Sequence, residues 1–401
     1  MSARRFLIAI VLATTAYGNA RAQDGEVALD QAGSPSDVAV SEAIDSDMPG
    51  AEAFDPAAAE PEFDVPDAPI AAWRPLFDAR LRLDHVTGLP GGRADLERTR
   101  LGARFGAARD GGALAVGVAI RAALGSNHDR NDDNLRNNDN ERSNAFDLNQ
   151  AWLLWRTGER TRLQLGKAPL PLPLSALAWD ADLRPIGVAW SHEHMASTLN
   201  RWQAQGGAFE IDHPLAKDGP RLATLQLGWH WREGAPTALS ASAAYLVFDH
   251  LDPLAQAGLA RGNPLRAGAY ADDYRLLDLQ FALRRQADAR TQPLEARIEL
   301  LRNLGAQREH DAARFDLTWG TVRQPRDWQL GYAYQTIDAA AVLAAVNSDD
   351  WWFHAGTRGH QLSLAYGVGT MWQLRLSGFS ERRDDLDEDT RRLLLDLQAR
   401  W

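Results

Sequence analysis

The sequence predicts an all-β fold: a transmembrane, antiparallel up-and-down β-barrel of about 16 strands, with a disordered N-terminal segment. Three observations carry that expectation. Apolar and polar side chains alternate with period two from about residue 72 onward. The alternating segments run for about 10–13 residues, longer than the usual strand of about 5–6 in globular proteins and suited to a tilted bilayer crossing. The chain also ends on one more such segment, residues 389–401, closing on the aromatic Trp401.

Successive strand side chains point to opposite faces, so each alternating segment has one apolar and one polar face. Phe77, Ala79, Leu81 and Leu83 interleave with Asp78, Arg80 and Arg82. Leu225, Leu227, Trp229 and Trp231 interleave with Gln226, Gly228 and His230. Leu277, Leu279, Phe281 and Leu283 interleave with Asp278, Gln280, Ala282 and Arg284. The pattern places strands near 72–86, 96–108, 112–124, 145–156, 160–168, 198–212, 220–232 and 237–248. It continues near 274–286, 292–303, 311–321, 326–337, 357–369, 371–381 and 389–401. A soluble sandwich also alternates. Charged residues at consecutive polar-face positions favour a wet lumen instead. Trp319, Trp328, Trp351, Trp352 and Tyr274 at segment ends read as interfacial girdles.

Connections are of two kinds. Arg109–Gly112, Arg156–Glu159 and Gln324–Asp327 are tight, whereas 125–145, 169–197, 249–273 and 338–356 are long. Single-chain bacterial barrels have an even strand number, so tight and long connections should alternate. They fall out of step between 169 and 273, with Arg184–His192 a candidate for a missing strand. The expected number is therefore 16, with 14 as the alternative.

The domain plan follows charge. Residues 1–22 hold Arg4, Arg5, an apolar run Phe6–Ala13 and Ala20-Arg21-Ala22, the pattern of a cleaved export signal. Residues 23–70 form an acidic, low-hydrophobicity linker expected to be disordered. Three of the 43 basic residues lie in 1–22 and 13 of the 54 acidic ones in 23–70, leaving 40 and 41 for the barrel, 71–401. The net charge of −11 thus belongs to the linker and argues against a nucleic-acid partner. The absence of Cys excludes disulfides and thiolate metal sites.

The expected pore-lining residues are those on the polar faces. Arg80, Arg82, Arg98, Arg100 and Arg104 on the first two strands would form an arginine ladder favouring anions, or pair with Asp78 and Asp84 on the same face and stiffen the wall. Asp278, Arg284, Glu295, Arg297 and Glu299 are mixed in sign, which suits a network as well as a filter. Asn127–Asn144 is rich in oxygen donors but lacks EF-hand spacing, and it reads as a solvated loop. His192-Glu193-His194 matches no established zinc motif, so neither metal nor cofactor is expected.

The block Leu163–Trp190, LQLGKAPLPLPLSALAWDADLRPIGVAW, resembles a bacterial porin family of Gram-negative outer membranes. The matching positions are Gly166, Lys167, Pro169, Trp179, Asp180, Asp182, Pro185 and Gly187, while Ala168 departs from the family's more hydrophobic or aromatic residue. The resemblance implies a porin-like channel in the bacterial outer membrane. The loop block 169–197, stiffened by its prolines, would either fold toward the pore as a constriction carrying Lys167, Trp179, Asp180 and Asp182, or act as a structural brace with Trp179 packed on the wall and the Asp residues capping turns. The final strand ending on Trp401 resembles the terminal aromatic signal that the barrel-assembly machinery reads.

Together these readings give a passive channel for small hydrophilic solutes rather than an enzyme. Its surroundings would be a lipid bilayer with lipopolysaccharide, and homo-oligomerisation stays open. An export barrel for an acidic polysaccharide is the alternative. An outer-membrane hydrolase would need Ser191 with His192 or His194, without a recognisable nucleophile motif.

Overall fold

The computed structural model describes residues 73–126, 140, 144–216, 218–287 and 291–400. The export signal, the acidic linker, most of Asn127–Asn144 and Trp401 lie outside the described residues.

Alternation becomes strands throughout. The first half holds β1 (Arg74–Thr87), β2 (Leu96–Asp110), β3 (Leu114–Gly125), β4 (Ala145–Arg156) and β5 (Thr161–Lys167). It continues with β6 (Ile186–Ser197), β7 (Asn200–Glu210), β8 (Arg221–Trp231) and β9 (Thr237–Asp249). After a short helix α1 (Asp252–Gln256) and a hairpin of β10 (Leu265–Arg266) and β11 (Ala269–Tyr270) come β12 (Arg275–Arg285) and β13 (Leu294–Asn303). The barrel ends with β14 (Asp311–Gly320), β15 (Trp328–Ile337), β16 (Thr357–Gly367), β17 (Trp372–Arg383) and β18 (Thr390–Arg400). Apart from the β10–β11 hairpin, these strands form one closed antiparallel barrel of 16, in which β18 pairs with β1. Closure satisfies the edge hydrogen bonds that a bilayer could not.

The missing strand is β6, in the region that the parity of the connections marks out. The expected loop 169–197 is therefore corrected to a loop over 168–185 followed by a strand. Its signal is weak for a physical reason. Ile186, Val188 and Trp190 face outward, but His192 and His194 continue that face, so the apolar stripe stops halfway.

With β6 in place, every long connection falls at one end of the barrel. We number the connections at that end L1 (88–95), L2 (126–144), L3 (168–185), L4 (211–220), L5 (250–274), L6 (304–310), L7 (338–356) and L8 (384–389). The opposite end carries the tight turns, such as 111–113, 157–160 and 198–199.

The outer surface is apolar. Leu362 is 59% exposed and Phe146 74%, and Leu101, Phe105, Leu225, Leu227, Phe281 and Leu364 are also exposed. An exposed apolar surface of this extent needs lipid rather than water as its solvent. The girdle reading is corrected in part. Trp319 and Trp328 face outward near the turn end and touch edge to face, 4.9 Å between centroids. Trp351, Trp352 and Tyr274 are instead buried inside, because L7 and the end of L5 turn into the barrel.

The interior differs from an ordinary wet tube. L3 contributes Leu170, Leu172, Leu174, Leu177, Trp179 and Leu183 to a core with Val342, Leu343 and Val346 of L7. That core packs on Phe209, Leu222, Leu246, Leu276, Leu301 and Ile337, inward residues near the loop ends of β7–β15. Leu394, which breaks the alternation of the last strand, also faces inward and packs with Trp351 and Phe379.

Candidate channel constriction

The β1–β2 register explains the arginine ladder. Asp78 lies opposite Arg104, Arg82 opposite Arg100, and Asp84 opposite Arg98. All five expected arginines share the inward face, but acids partner the ladder at close range. Arg104 pairs with Asp78 at 2.5 Å. Arg98 pairs with Asp84, which also takes Arg392 at 2.8 Å, and all three side chains are fully buried. Arg82 bonds Asp396 of β18 and Asp350 of L7, each at 2.7 Å. Arg80 reaches Asp182 of L3 at 3.2 Å. Arg100 lies in the field of Asp349 of L7. Buried charges are tolerable only when paired and hydrogen-bonded in this way.

The second predicted group forms smaller units on the opposite wall. Glu295 accepts from Arg284 at 2.8 Å and from Arg297 at 3.0 Å. Asp278 and Glu299 are buried and in contact beneath L3, where Gln280 donates to the Pro173 carbonyl and to Asp278.

The four residues expected in the constriction loop separate. Lys167 is the last residue of β5, in register with outward-facing Ile186, and its ammonium pairs with Asp212 at 2.5 Å. That placement corrects its assignment to the loop: period two turns it away from the lumen. Trp179 is buried in the apolar core and braces L3. Asp180 is buried, accepts from Asn140 of L2 and caps the turn by accepting the Asp182 N–H at 2.8 Å. Burial first, then Asp349 and Asp182, push its carboxyl well above the usual range. Asp182 alone of the four faces the space beside the arginine wall.

The motif glycine has its own reason. Gly166 has φ +109°, and a Cβ there would strike the carbonyl of Ala151 on β4. It lets β5 end tightly against β4, and Ala168 N–H then bonds the Pro185 carbonyl at 3.2 Å to close the neck of L3.

The result is a passage off the barrel axis. L3 and L7 lean on β7–β15, and the space left lies against β1–β4, between Asp78, Arg80, Arg104, Arg121, Asn149 and Asp182. Toward the turn end the inward side chains Arg284, Glu193 and His230 stay partly exposed. Arginines on one side and loop acids on the other set a field across the passage. Arg121, Arg392, Asp349, Asp350 and Asp396 were not among the expected residues. Arg121, Arg392 and Asp396 were legible as polar-face positions of their strands. The L7 acids carried no such signal.

Ser191 and His192 do not meet. They are adjacent on β6 and point to opposite faces, and His192 Nδ1 lies 2.9 Å from Thr161 Oγ1. Among the described residues no cluster of His, Asp and Glu is arranged to hold a metal ion.

No family model matches the sequence, and no curated protein matches it. Solved structures do match the fold. OprB of Pseudomonas putida, in a structure determined at high pH, is 13% identical over 82% of this chain and 94% of its own, with a TM-score of 0.53. A triple mutant of the Rhodopseudomonas blastica porin is 11% identical over 82% of this chain and 100% of its own, with a TM-score of 0.46. At such identities the likeness to OprB concerns the fold: this chain has a porin-like barrel.

Proposed function

We propose that the protein is a passive diffusion channel for small hydrophilic solutes in a bacterial outer membrane, one member of the porin family that its L3 block resembles. The observation that carries this reading is the polar space between Asp182 and the Arg80–Arg104–Arg121 wall inside a closed barrel. Diffusion needs a wet path of this kind and no catalytic group. The long-loop end would face outward among lipopolysaccharide, and the turn end would face the periplasm. Residues 1–22 as a cleaved signal and 23–70 as a periplasmic linker belong to the same proposal. So does recognition of Trp401 by the assembly machinery.

Purified protein in a planar bilayer should give stepwise conductance. A folded, heat-modifiable barrel that never conducts overturns the reading. The acidic-polysaccharide alternative loses its main support, because Arg82, Arg98 and Arg104 are already held by acids of the same chain.

A further inference from the structure

L7 has an unusual composition for a connection. Ala339–Val346 contains no charge, and residues 341–346 are buried to within 1%. Exposed loops normally avoid such runs, since their backbone groups must find partners once water is excluded. Here the partners come from inside the barrel. Asn263 donates to the carbonyls of Ala339 and Val342 and accepts the Ala344 N–H. Asn303 donates to Ala340, and His213 Nε2 lies 3.1 Å from the Ala345 carbonyl.

The second half of L7 meets a more pointed arrangement. Glu381 of β17 aims its carboxylate at the loop, and its two oxygens accept the N–H groups of Trp352 at 2.8 Å and Phe353 at 3.0 Å. Arg392 donates to the carbonyls of Asp349 and Asp350, at 2.6 and 2.9 Å, and Arg82 holds the Asp350 carboxylate. A carboxyl group accepting from two adjacent backbone donors positions a segment more firmly than packing alone. L7 is also tied to L3 by main chain. Asp180 N–H donates to Val346 and Ser348 N–H to Ala176, at 2.6 and 3.0 Å.

We propose that L7 is a second constriction element, latched to the barrel wall by Glu381, and that it sets the aperture jointly with L3 by presenting Asp350 beside Arg82. The proposal rests on the channel reading above. Removing the latch frees the Trp352–Phe353 turn, while L3 keeps its own leucine contacts with the wall. The aperture then widens and the barrel persists.

The test compares single-channel conductance of the full chain with that of Glu381→Ala, each checked for heat-modifiability. The expected result is a rise of about twofold, with larger uncharged oligosaccharides admitted in a vesicle-swelling assay. Unchanged conductance and an unchanged size limit, in a folded variant, overturn the role of L7. Should Glu381→Ala fail to fold, Asp350→Cys carries the test. Modification by a charged methanethiosulfonate should lower conductance by about half. Confirmed modification without effect overturns the proposal. A silent wild type with a conducting Glu381→Ala supports the latch and revises the channel reading to a shut one. Silence in both, with folded barrels, overturns both readings.

Discussion

Two walls of the same barrel solve the same problem in opposite ways. Near the loop end, β7–β15 present Phe209, Leu222, Leu246, Leu276, Leu301 and Ile337 inward, and the apolar sides of L3 and L7 cover them. At similar height β1, β2 and β18 present Arg82, Arg98, Arg100, Arg392 and Asp84, which face Asp349 and Asp350 of L7. The outer faces of both walls are apolar. The inward character of a strand therefore reports what lies across from it: loop hydrocarbon on one side, loop acid and passage on the other.

The sharpest way to break the polar wall is Asp84→Ala. It strips Arg98 and Arg392 of a shared, fully buried partner. Unfolding in urea should show a loss of about 3–5 kcal/mol, since breaking a buried pair leaves uncompensated charge. A loss below about 1 kcal/mol would mean that water reaches these groups.

The apolar wall breaks less severely with Leu177→Ala. Leu177 is fully buried in the core that seats L3. The expected cost is about 2–5 kcal/mol, from lost transfer and the cavity left behind. It should register as faster hydrogen exchange in L3 before any change in the barrel strands. Equal loosening of both would show that L3 and the wall unfold as one unit.

Selectivity separates the walls without breaking either. Arg80 and Arg121 line the passage and are partly exposed, unlike the fully buried Arg98 and Arg392 behind them. Replacing both with Ser should move the reversal potential in a salt gradient toward cations, and stability should change by only about 0.5 kcal/mol. An unmoved potential would assign the ion path to other residues.

A further effect concerns pH. Burial, reinforced by Arg261, pushes His213 of L4 down from its ordinary 6.5 to about 3. Its Nδ1 accepts the Leu215 N–H, which leaves Nε2–H to donate to Ala345 of L7. Neutral His213 costs nothing above about pH 6.5. Docking of L7 should weaken progressively as pH falls from there toward 3, because an undocked imidazole takes up a proton first. Hydrogen exchange of L7 amides between pH 7 and 4 should show this slope, and His213→Gln should flatten it.

The sequence carries the strands well because lipid enforces period two on the outer face, whatever lies inside. Leu393, Leu395 and Leu397 are legible for that reason, and the parity of the connections recovers β6 although half its outer face is polar. The candidate site is less legible. The alternation puts Arg80 to Arg104 on one face with Asp78 and Asp84, but the acids of Arg80, Arg82 and Arg100 come from L3, L7 and β18, more than 100 residues distant. Local spacing holds no record of such partners. L7 did leave a trace, the uncharged Ala339–Val346 run followed by Trp351 and Trp352, and its meaning is that a loop so apolar must be covered.

The tryptophans carry one more consequence. Trp155, Trp202, Trp229, Trp231, Trp319, Trp328 and Trp372 lie toward the turn end of the outer surface and Trp190 near its mid-height, and no described tryptophan faces lipid close to the loop end. The molecule therefore has a built-in optical polarity. A fluorescence quencher confined to one leaflet should darken the protein strongly from the turn side and weakly from the other, which reads out its direction of insertion without any label.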